Sequence, residues 1–176
     1  MENINIIKKK LKTKFINLND KDNLDKIKKL YFSAFPENEL LNFEDLIHSR
    51  VFKGNKIIAF YDDKTFVGFA VIITKFHICN ILYIAIEKEL RGKGYGTQAL
   101  KNIIKYCQKN RIVVDVEDPD KNEFKKEERL KRINFYLKAG FKLTNIKYNW
   151  NGEDYIILVI NGDITEDEFW NFWKNR

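Results

Sequence analysis

The stretch Arg91-Gly92-Lys93-Gly94-Tyr95-Gly96 decides how this chain folds. It follows an apolar run, Ile81 to Ile86, and precedes an amphipathic run, Thr97 to Lys109, so the order indicates a strand, a glycine loop and a helix. Glycines let the loop backbone lie close to a ligand, and the first N–H groups of a helix have no partner within the helix. Because those groups carry the positive end of the helix dipole, the stretch predicts a site for an anion such as a pyrophosphate.

The spacing of the glycines excludes two well-known phosphate loops. A dinucleotide-binding loop has the pattern G-x-G-x-x-G, whereas the glycines here follow G-x-G-x-G. A nucleoside-triphosphate loop ends in Gly-Lys-Ser or Gly-Lys-Thr, whereas Gly96 is followed directly by Thr97. The pattern that is present is R-x-x-G-x-G, formed by Arg91, Gly94 and Gly96.

This pattern resembles the acyl-CoA pyrophosphate loop of the Gcn5-related N-acetyltransferases, the GNAT family. A second segment, Asn134 to Phe141, is similar to the F-Y-x-x-x-G-F ending of a helix before a strand in the same family, and the order of elements agrees across about residues 13 to 160. The resemblance implies an α/β fold with a mixed, mostly antiparallel, twisted sheet flanked by helices. Two parallel strands of that sheet would splay apart to admit the pantetheine arm.

The resemblance also implies roles for particular residues. The main chain of Ile84, Ala85 and Ile86 would contact the pantetheine and the thioester carbonyl. Tyr136 would give a proton to the departing coenzyme A sulfur. The cofactor loop would comprise Arg91, Gly92, Lys93, Gly94, Tyr95, Gly96 and Thr97.

Basic residues precede Tyr136 on the same predicted helix. Many relatives carry an asparagine seven residues before this tyrosine, where it touches the cofactor, but this chain has Arg129 at that position. That contact therefore does not carry over. Arg129, Lys131 and Arg132 either reach cofactor phosphates or face solvent.

A base is also needed, because a protonated amine must lose a proton before it can attack a carbonyl. Glu117 is the leading candidate, since it follows the predicted strand Arg111 to Val116 beside the expected wedge. Glu87, which follows the other strand, is the second candidate. Either residue is otherwise a solvated acid at the end of a strand. His48 and His77 are isolated in the sequence and are expected to be structural.

Composition and charge place limits on the class of protein. The chain has 176 residues, of which 44% are hydrophobic, and it has no internal repeat or linker, so one domain over residues 1–176 is predicted. The net charge of +7 suits a polyanion, but lysine is abundant throughout and no base-reading motif is present, so no nucleic-acid partner is expected. No apolar run approaches the ~20 residues that span a bilayer, which predicts a cytoplasmic protein without a membrane partner.

The remaining pattern predicts the other elements. Helices are expected at Asp22 to Phe35, at Phe43 to Arg50 and at Glu123 to Ala139, the last with Leu130, Ile133 and Leu137 on one apolar face. Thr165 and Glu168 form a capping box before an aromatic helix, which is expected to pack over the sheet or a neighbouring subunit. Cys79 and Cys107 are interpreted as small core residues, with neither a disulfide nor a metal site expected.

The leading interpretation is an acetyl-CoA-dependent N-acetyltransferase that transfers the acetyl group directly to a primary amine, releases coenzyme A and needs no metal. The acceptor is a small molecule or a peptide, and the sequence does not choose among a metabolite, a polyamine, an antibiotic and a peptide. One alternative is a catalytically degenerate module that binds acyl-CoA without turnover. Another is a basic nucleic-acid-binding protein, and the aromatic C-terminal helix leaves a homodimer open.

Overall fold

Seven strands form one mixed sheet in the computed structural model, which describes residues 10–49 and 53–174. The strands are β1 (Lys12–Ile16), β2 (Lys56–Asp62), β3 (Thr65–Lys75), β4 (Ile78–Ile86), β5 (Arg111–Glu117), β6 (Lys142–Trp150) and β7 (Glu153–Ile160). Their order in the sheet is β1-β2-β3-β4-β5-β7-β6. Neighbours pair antiparallel except β4 and β5, which are parallel. The predicted mixed, mostly antiparallel sheet is confirmed.

Five helices cover the two faces of the sheet in the described part of the chain. They are α1 (Lys21–Ala34), α2 (Phe43–Ile47), α3 (Tyr95–Tyr106), α4 (Lys126–Lys138) and α5 (Glu166–Lys174). Successive side chains of β3 point to opposite faces of the sheet, which shows which helices share a face. Val71 packs in the core under α1 and α2, and Ile73, two residues later on the same face, packs in the core under α5. Ile72, between them, belongs to the core under α3 and α4. Helices α1, α2 and α5 therefore share one face.

The helix ends follow the capping signals in the sequence. Helix α1 begins after Asp20, whose side chain accepts a hydrogen bond from the N–H of Asn23. Before α5, the Glu168 N–H donates to Thr165 Oγ1 at 3.2 Å and the Thr165 N–H donates to Glu168 Oε2 at 3.0 Å, which confirms the capping box. Helix α5 buries Phe169 and Phe172 against the sheet, as expected for a packing role.

A β-bulge in β4 lies just after β4 and β5 stop pairing. Val71 pairs with Tyr83 and Ile72 pairs with Ile81, so Leu82 is an extra residue with no partner on β3. The last parallel pair between β4 and β5 is Asn80 with Val113. Because a bulge bends its strand, β4 diverges from β5 beyond this point. The splay implied by the family resemblance is therefore present.

The bulge also reverses which residues of β4 face each core. Before it, Cys79 and Ile81 face the core under α3 and α4. After it, Tyr83 and Ala85 face the core under α1 and α2. The outer half of β4 thus presents a different set of side chains to each face than simple alternation from Cys79 would predict.

Helix α4 differs from its prediction in its start and in its buried face. A 3₁₀ turn at Glu123–Lys125 precedes the helix. Leu130 and Leu137 are 41% and 38% exposed, and the buried residues are Arg129, Ile133 and Tyr136. The predicted apolar face was therefore wrong for both leucines. The physical reason is that Arg129 has polar partners in the interior, so the face of α4 that carries Arg129 is buried. The apolar pattern had assigned that polar residue to the solvent-exposed face.

The two cysteines lie in the core, as expected, but they are also in contact. Cys79 on β4 and Cys107 at the end of α3 are free, buried thiols whose Sγ atoms lie 2.8 Å apart. Within residues 10–49 and 53–174, no helix has the length and apolar character needed to cross a membrane. The same residues hold no group of three or more acidic, histidine or cysteine side chains arranged for a metal ion.

Candidate functional site

The site lies in the wedge that opens where β4 and β5 diverge. Ile84, Ala85 and Ile86 pair with β3 on one side. Their other edge, toward β5, has no strand partner among the described residues. Main-chain N–H and C=O groups on that edge therefore remain available to a ligand that lies in the wedge. These are the three residues that the family resemblance assigns to the pantetheine.

The glycine loop leads from β4 into α3. Gly94 has φ +84°, and a Cβ atom added there or at Gly92 would meet no other atom, so both positions face open space. Helix α3 starts at Tyr95, and its N-cap, Gly94, supplies no side-chain hydrogen bond. Arg91 and Lys93 are exposed and form no ion pair with a described residue. A helix start without a side-chain cap, flanked by exposed cations, fits a pyrophosphate group.

Neighbouring elements hold the start of α3 in place. The Tyr95 hydroxyl donates to Asp62 Oδ2 at 2.5 Å, which ties α3 to the end of β2. Gly96 lies against the Phe135 ring of α4, and Thr97 is exposed. Nε of Arg91 donates to the Ile86 carbonyl at 3.0 Å, which links the loop to the last residue of β4.

Tyr136 is the tyrosine at the base of the wedge. It is 6% exposed, and its ring packs edge-on against Phe135 and Phe141 at centroid distances of 5.1 and 5.4 Å. Its hydroxyl forms no hydrogen bond with any described residue. Among the described residues, the side-chain polar atoms that are both fully enclosed and without a partner are Asp62 Oδ1 and Arg129 Nε. The Tyr136 hydroxyl is not one of them, so it is not fully enclosed and remains open to the wedge.

Burial of Tyr136 raises the pKa of its phenol and keeps it protonated. Burial raises its pKa to about 12, against an opposing effect of Arg132 and with a further rise from Glu117 and Asp115. These are the charged groups within electrostatic reach of the hydroxyl, and Glu87 is not among them. Glu87 instead directly precedes the 3₁₀ turn after β4, its side chain makes no capping hydrogen bond there, and its N–H donates to the Val67 carbonyl at 2.9 Å.

Glu117 is brought to Tyr136, and it is not a solvated acid. It is 9% exposed, and its Oε2 accepts a hydrogen bond from Nη1 of Arg132 at 2.5 Å. Arg132 therefore points into the wedge. Arg129 is 3% exposed, donates to the Asp118 carbonyl at 2.8 Å and forms an ion pair with Glu153, with Nη2 and Oε2 2.9 Å apart, so it is not on the exposed face considered for it.

Two further acids enter the site that the sequence reading did not single out. Glu39 lies in the 3₁₀ turn Glu37–Glu39, whose last carbonyl accepts a hydrogen bond from the Tyr83 hydroxyl at 2.7 Å. Burial and the neighbouring Glu117 carboxylate raise the pKa of Glu39 to about 7. Asp115 accepts hydrogen bonds from Asn80 at 3.0 Å and from Tyr148 at 2.5 Å, and burial raises its pKa.

A signal for one of these acids is present in the sequence. Asp115 is the only charged residue inside the apolar run from Ile112 to Val116, and buried charges are rarely found without a specific reason. Glu39 carries no such signal, because it lies in a polar turn and reaches Glu117 only through the tertiary fold.

The comparisons with known proteins agree with this geometry. The model of the acetyltransferase (GNAT) family matches residues 24–141, well over half of the chain. The chain therefore belongs to the GNAT family of acetyltransferases. No curated protein sequence matches it significantly.

Solved structures with the same fold come from several bacteria. A protein described as a GNAT-family acetyltransferase from Bacteroides thetaiotaomicron matches with a TM-score of 0.76 at 22% identity, over 91% of this chain and 92% of that one. The ribosomal-protein-S18-alanine N-acetyltransferase of Escherichia coli gives 0.66 at 17%, over 89% and 97%. A Bacillus subtilis acetyltransferase in complex with CoA gives 0.62 at 17%, over 86% and 98%. Identities this low show the shared fold only.

Gly94→Leu is expected to abolish coenzyme A binding in a protein that still folds. A side chain at Gly94 would extend into the space where the pyrophosphate is predicted to lie. Gly54→Leu is the matched control, because Gly54 has φ +77° and equally open surroundings but precedes β2. Both variants should lose about 1 to 2 kcal/mol of unfolding free energy from the left-handed backbone. Normal calorimetric binding by folded Gly94→Leu protein would reject the loop assignment.

Proposed function

We propose that this protein is an N-acetyltransferase that moves the acetyl group of acetyl-CoA directly to a primary amine. The observation that carries the proposal is the wedge between β4 and β5, where the Tyr136 hydroxyl, which has no described hydrogen-bond partner, lies within electrostatic reach of Glu117. The Glu117 carboxyl group is in turn the neighbour of Glu39. Such a site holds a proton donor and a proton acceptor side by side, as acyl transfer to an amine requires. One domain is proposed to carry the whole site.

The cosubstrate is proposed to lie along the free edge of β4. Its pyrophosphate would be held by the glycine loop, by the uncapped start of α3 and by Arg91 and Lys93. Its pantetheine would bond to the main chain of Ile84–Ile86, which also places the thioester carbonyl beside peptide N–H groups. Those groups stabilise the negative charge that forms on the carbonyl oxygen in the transition state.

The transfer forms one bond and breaks another. The neutral amine nitrogen attacks the thioester carbonyl carbon, the C–N bond forms, and the C–S bond then breaks to leave the coenzyme A thiolate. The amine's surplus proton passes to the Glu39–Glu117 pair, directly or through water. The Tyr136 hydroxyl donates a hydrogen bond to the thiolate sulfur, and the thiolate takes a proton from the carboxyl pair or from water and leaves as a thiol.

The raised pKa of Tyr136 defines how it acts. At about 12, the phenol is a weaker acid than an ordinary thiol by three to four pH units. Tyr136 therefore stays protonated through the working pH range and stabilises the developing thiolate chiefly as a hydrogen-bond donor. Arg132 opposes the rise in the pKa and so makes proton donation easier.

Glu39 is proposed as the proton acceptor of the pair, because a pKa near 7 lets a base be unprotonated and still bind a proton well at neutral pH. Its neighbour Glu117 is already paired with Arg132. Glu87, the other sequence candidate, stays a prediction, because it is among neither the groups that act on Tyr136 nor those that act on Glu39. In this arrangement Glu117 and Arg132 position Glu39 and tune its charge.

Opposite pH dependences of activity and stability are expected from Glu39. Activity should rise between about pH 5 and 7, because the base must lose its proton. Stability should fall from about pH 4.5 to about 7, because the folded state holds this proton up to about pH 7 whereas the unfolded chain releases it near 4.5. Glu39→Gln should lower kcat/KM and flatten both profiles, measured by thiol release and by urea unfolding. Unchanged profiles in Glu39→Gln would remove Glu39 from the mechanism.

The first experiment is calorimetric titration of acetyl-CoA and coenzyme A, followed by thiol release across a panel of amines. Binding together with amine-dependent thiol release supports the proposal. Binding without release from any amine would favour a degenerate acyl-CoA-binding module. Salt-dependent binding to DNA or RNA together with indifference to acetyl-CoA would favour the nucleic-acid alternative.

A further inference from the structure

The C-terminal end of β5 and its surroundings hold more negative than positive side chains. Of five carboxyl groups there, three are paired with cations, Glu117 with Arg132, Glu153 with Arg129 and Asp118 with Lys147. The other two carboxyl groups, those of Glu39 and Asp115, form no ion pair with any residue the structure describes. The side-chain donors to Asp115 are neutral, from Asn80 and Tyr148.

Aromatic rings lie beside these carboxyl groups. Tyr148 stacks on Tyr155 with centroids 5.3 Å apart and planes inclined by 19°, and Trp170 meets Tyr148 edge-on at 5.6 Å. Tyr155 is within electrostatic reach of Glu39, Glu117, Glu153 and Asp115. Carboxylates combined with the faces of tyrosine and tryptophan rings are the groups that bind organic ammonium ions.

A separate observation points to a ligand in this place. The Tyr136 hydroxyl is on a side chain that is more than nine-tenths buried, has no described hydrogen-bond partner, and lies within electrostatic reach of Glu117 and Asp115. Because the hydroxyl is not enclosed and has no partner in the described part of the protein, it remains available to donate a hydrogen bond to a ligand. An acyl donor and an acceptor bound in the wedge would supply the missing partner.

We infer that the acceptor is a diamine or polyamine, an amine that carries a second positive charge. This inference rests on the proposed acetyltransferase function and specifies its acceptor. One amine lies next to Glu39 and gives up its proton before it attacks the thioester. The second stays an ammonium group, compensated by Asp115 and placed against the Tyr148 and Tyr155 rings. The net charge of the chain is +7, so general electrostatic attraction does not favour a cation and the recognition is local.

The test compares three acceptors with the same four-carbon chain on the full-length protein. These are 1,4-diaminobutane, 1-aminobutane and 4-aminobutanoate, with thiol release measured as kcat/KM. The diamine should exceed the monoamine at least tenfold, and the amino acid, which adds a negative charge, should be the poorest. Equal values for the diamine and the monoamine would overturn the inference and leave the acetyltransferase function intact.

Asp115→Asn is the variant that tests the second-charge site. The substitution keeps the size of the side chain and should bring the diamine-to-monoamine ratio at least fivefold closer to one. Asp25→Asn, on the exposed side of α1, is the matched control and should leave the ratio unchanged. A ratio in Asp115→Asn protein equal to that of the parent would remove Asp115 from acceptor recognition and overturn the assignment. Thermal melting establishes that each variant is folded.

A binding measurement separates failure of the inference from failure of the function. Each acceptor is titrated calorimetrically into the complex with coenzyme A, in which no transfer can occur. The diamine should bind at least tenfold more tightly than the monoamine, and the difference should shrink with added salt. Diamine-selective binding without any thiol release would support the acceptor site and reject the enzymatic activity. Equal binding of the diamine and the monoamine would reject the proposed acceptor site, whether or not the protein releases thiol from acetyl-CoA.

Discussion

Tyr136→Phe is expected to lower turnover about a hundredfold or more while leaving the affinity for acetyl-CoA near that of the parent. The change removes the hydroxyl that donates a hydrogen bond to the departing sulfur, and loss of one donor to a developing negative charge typically lowers kcat by about a hundredfold to a thousandfold. The ring, which packs against Phe135 and Phe141, is kept. Because the hydroxyl bonds to no described residue, the free energy of unfolding should change by less than about 0.5 kcal/mol. Thiol release, calorimetry and urea unfolding measure the three quantities.

Tyr31→Phe is the matched control for this experiment. Tyr31 is also a buried tyrosine, but its hydroxyl donates to the Leu41 carbonyl at 3.1 Å and accepts from the Leu41 N–H at 2.8 Å. Losing these bonds should cost about 1 to 2 kcal/mol of stability, with little effect on turnover. The two tyrosines should thus give opposite results. Full activity in Tyr136→Phe protein with a good acceptor would show that this hydroxyl takes no part in the reaction.

Gly68→Ala is expected to destabilise the fold by about 3 kcal/mol or more, lowering Tm by roughly 6 to 12 °C. A Cβ atom at Gly68 would lie 2.2 Å from the main-chain oxygen of Ala85, and neither strand can yield without breaking the β3–β4 ladder. The same displacement would move the residues that are proposed to hold the pantetheine, so coenzyme A affinity should fall as well.

Gly96→Ala provides the comparison for Gly68→Ala. A Cβ atom at Gly96 would lie 3.6 Å from the Phe135 ring, an ordinary van der Waals contact, and Gly96 is within α3. Alanine has the better helix propensity, so stability should be unchanged or rise by up to about 1 kcal/mol. Differential scanning calorimetry compares the two variants. Similar melting temperatures for both would mean that β3 and β4 do not approach as closely at Gly68 as described.

The sequence was sufficient for the elements that rest on local patterns. The strand, glycine loop and helix around Gly94 were predicted because apolar periodicity and glycine placement are local properties of the chain. The capping box at Thr165 and the helix expected at Asp22 to Phe35, which is α1, were predicted for the same reason. The parallel pair and its splay followed from the family resemblance, since pairing between distant strands leaves no local pattern.

What could not be predicted depends on tertiary contacts. The apolar pattern of α4 placed Leu130 and Leu137 inside, because it could not show that Arg129 would find the Asp118 carbonyl and Glu153 within the core. Glu39 lies far from Glu117 in sequence, and only the turn held by Tyr83 brings the two carboxyl groups together. The sequence therefore did not single out Glu39, which is proposed to act on the acceptor, whereas the loop proposed for the cofactor has a motif of its own.

The extra residue at Leu82 also bears on how such a cleft can arise and be lost. An uninterrupted β4 would keep its register beside β5, and the two strands would continue to pair instead of parting. Deletion of this one residue is thus expected to extend the pairing of β4 with β5 and to narrow the opening, without a change to any residue proposed to touch a substrate. Any redesign of this scaffold has to keep the length of β4 fixed before it alters the residues that line the wedge.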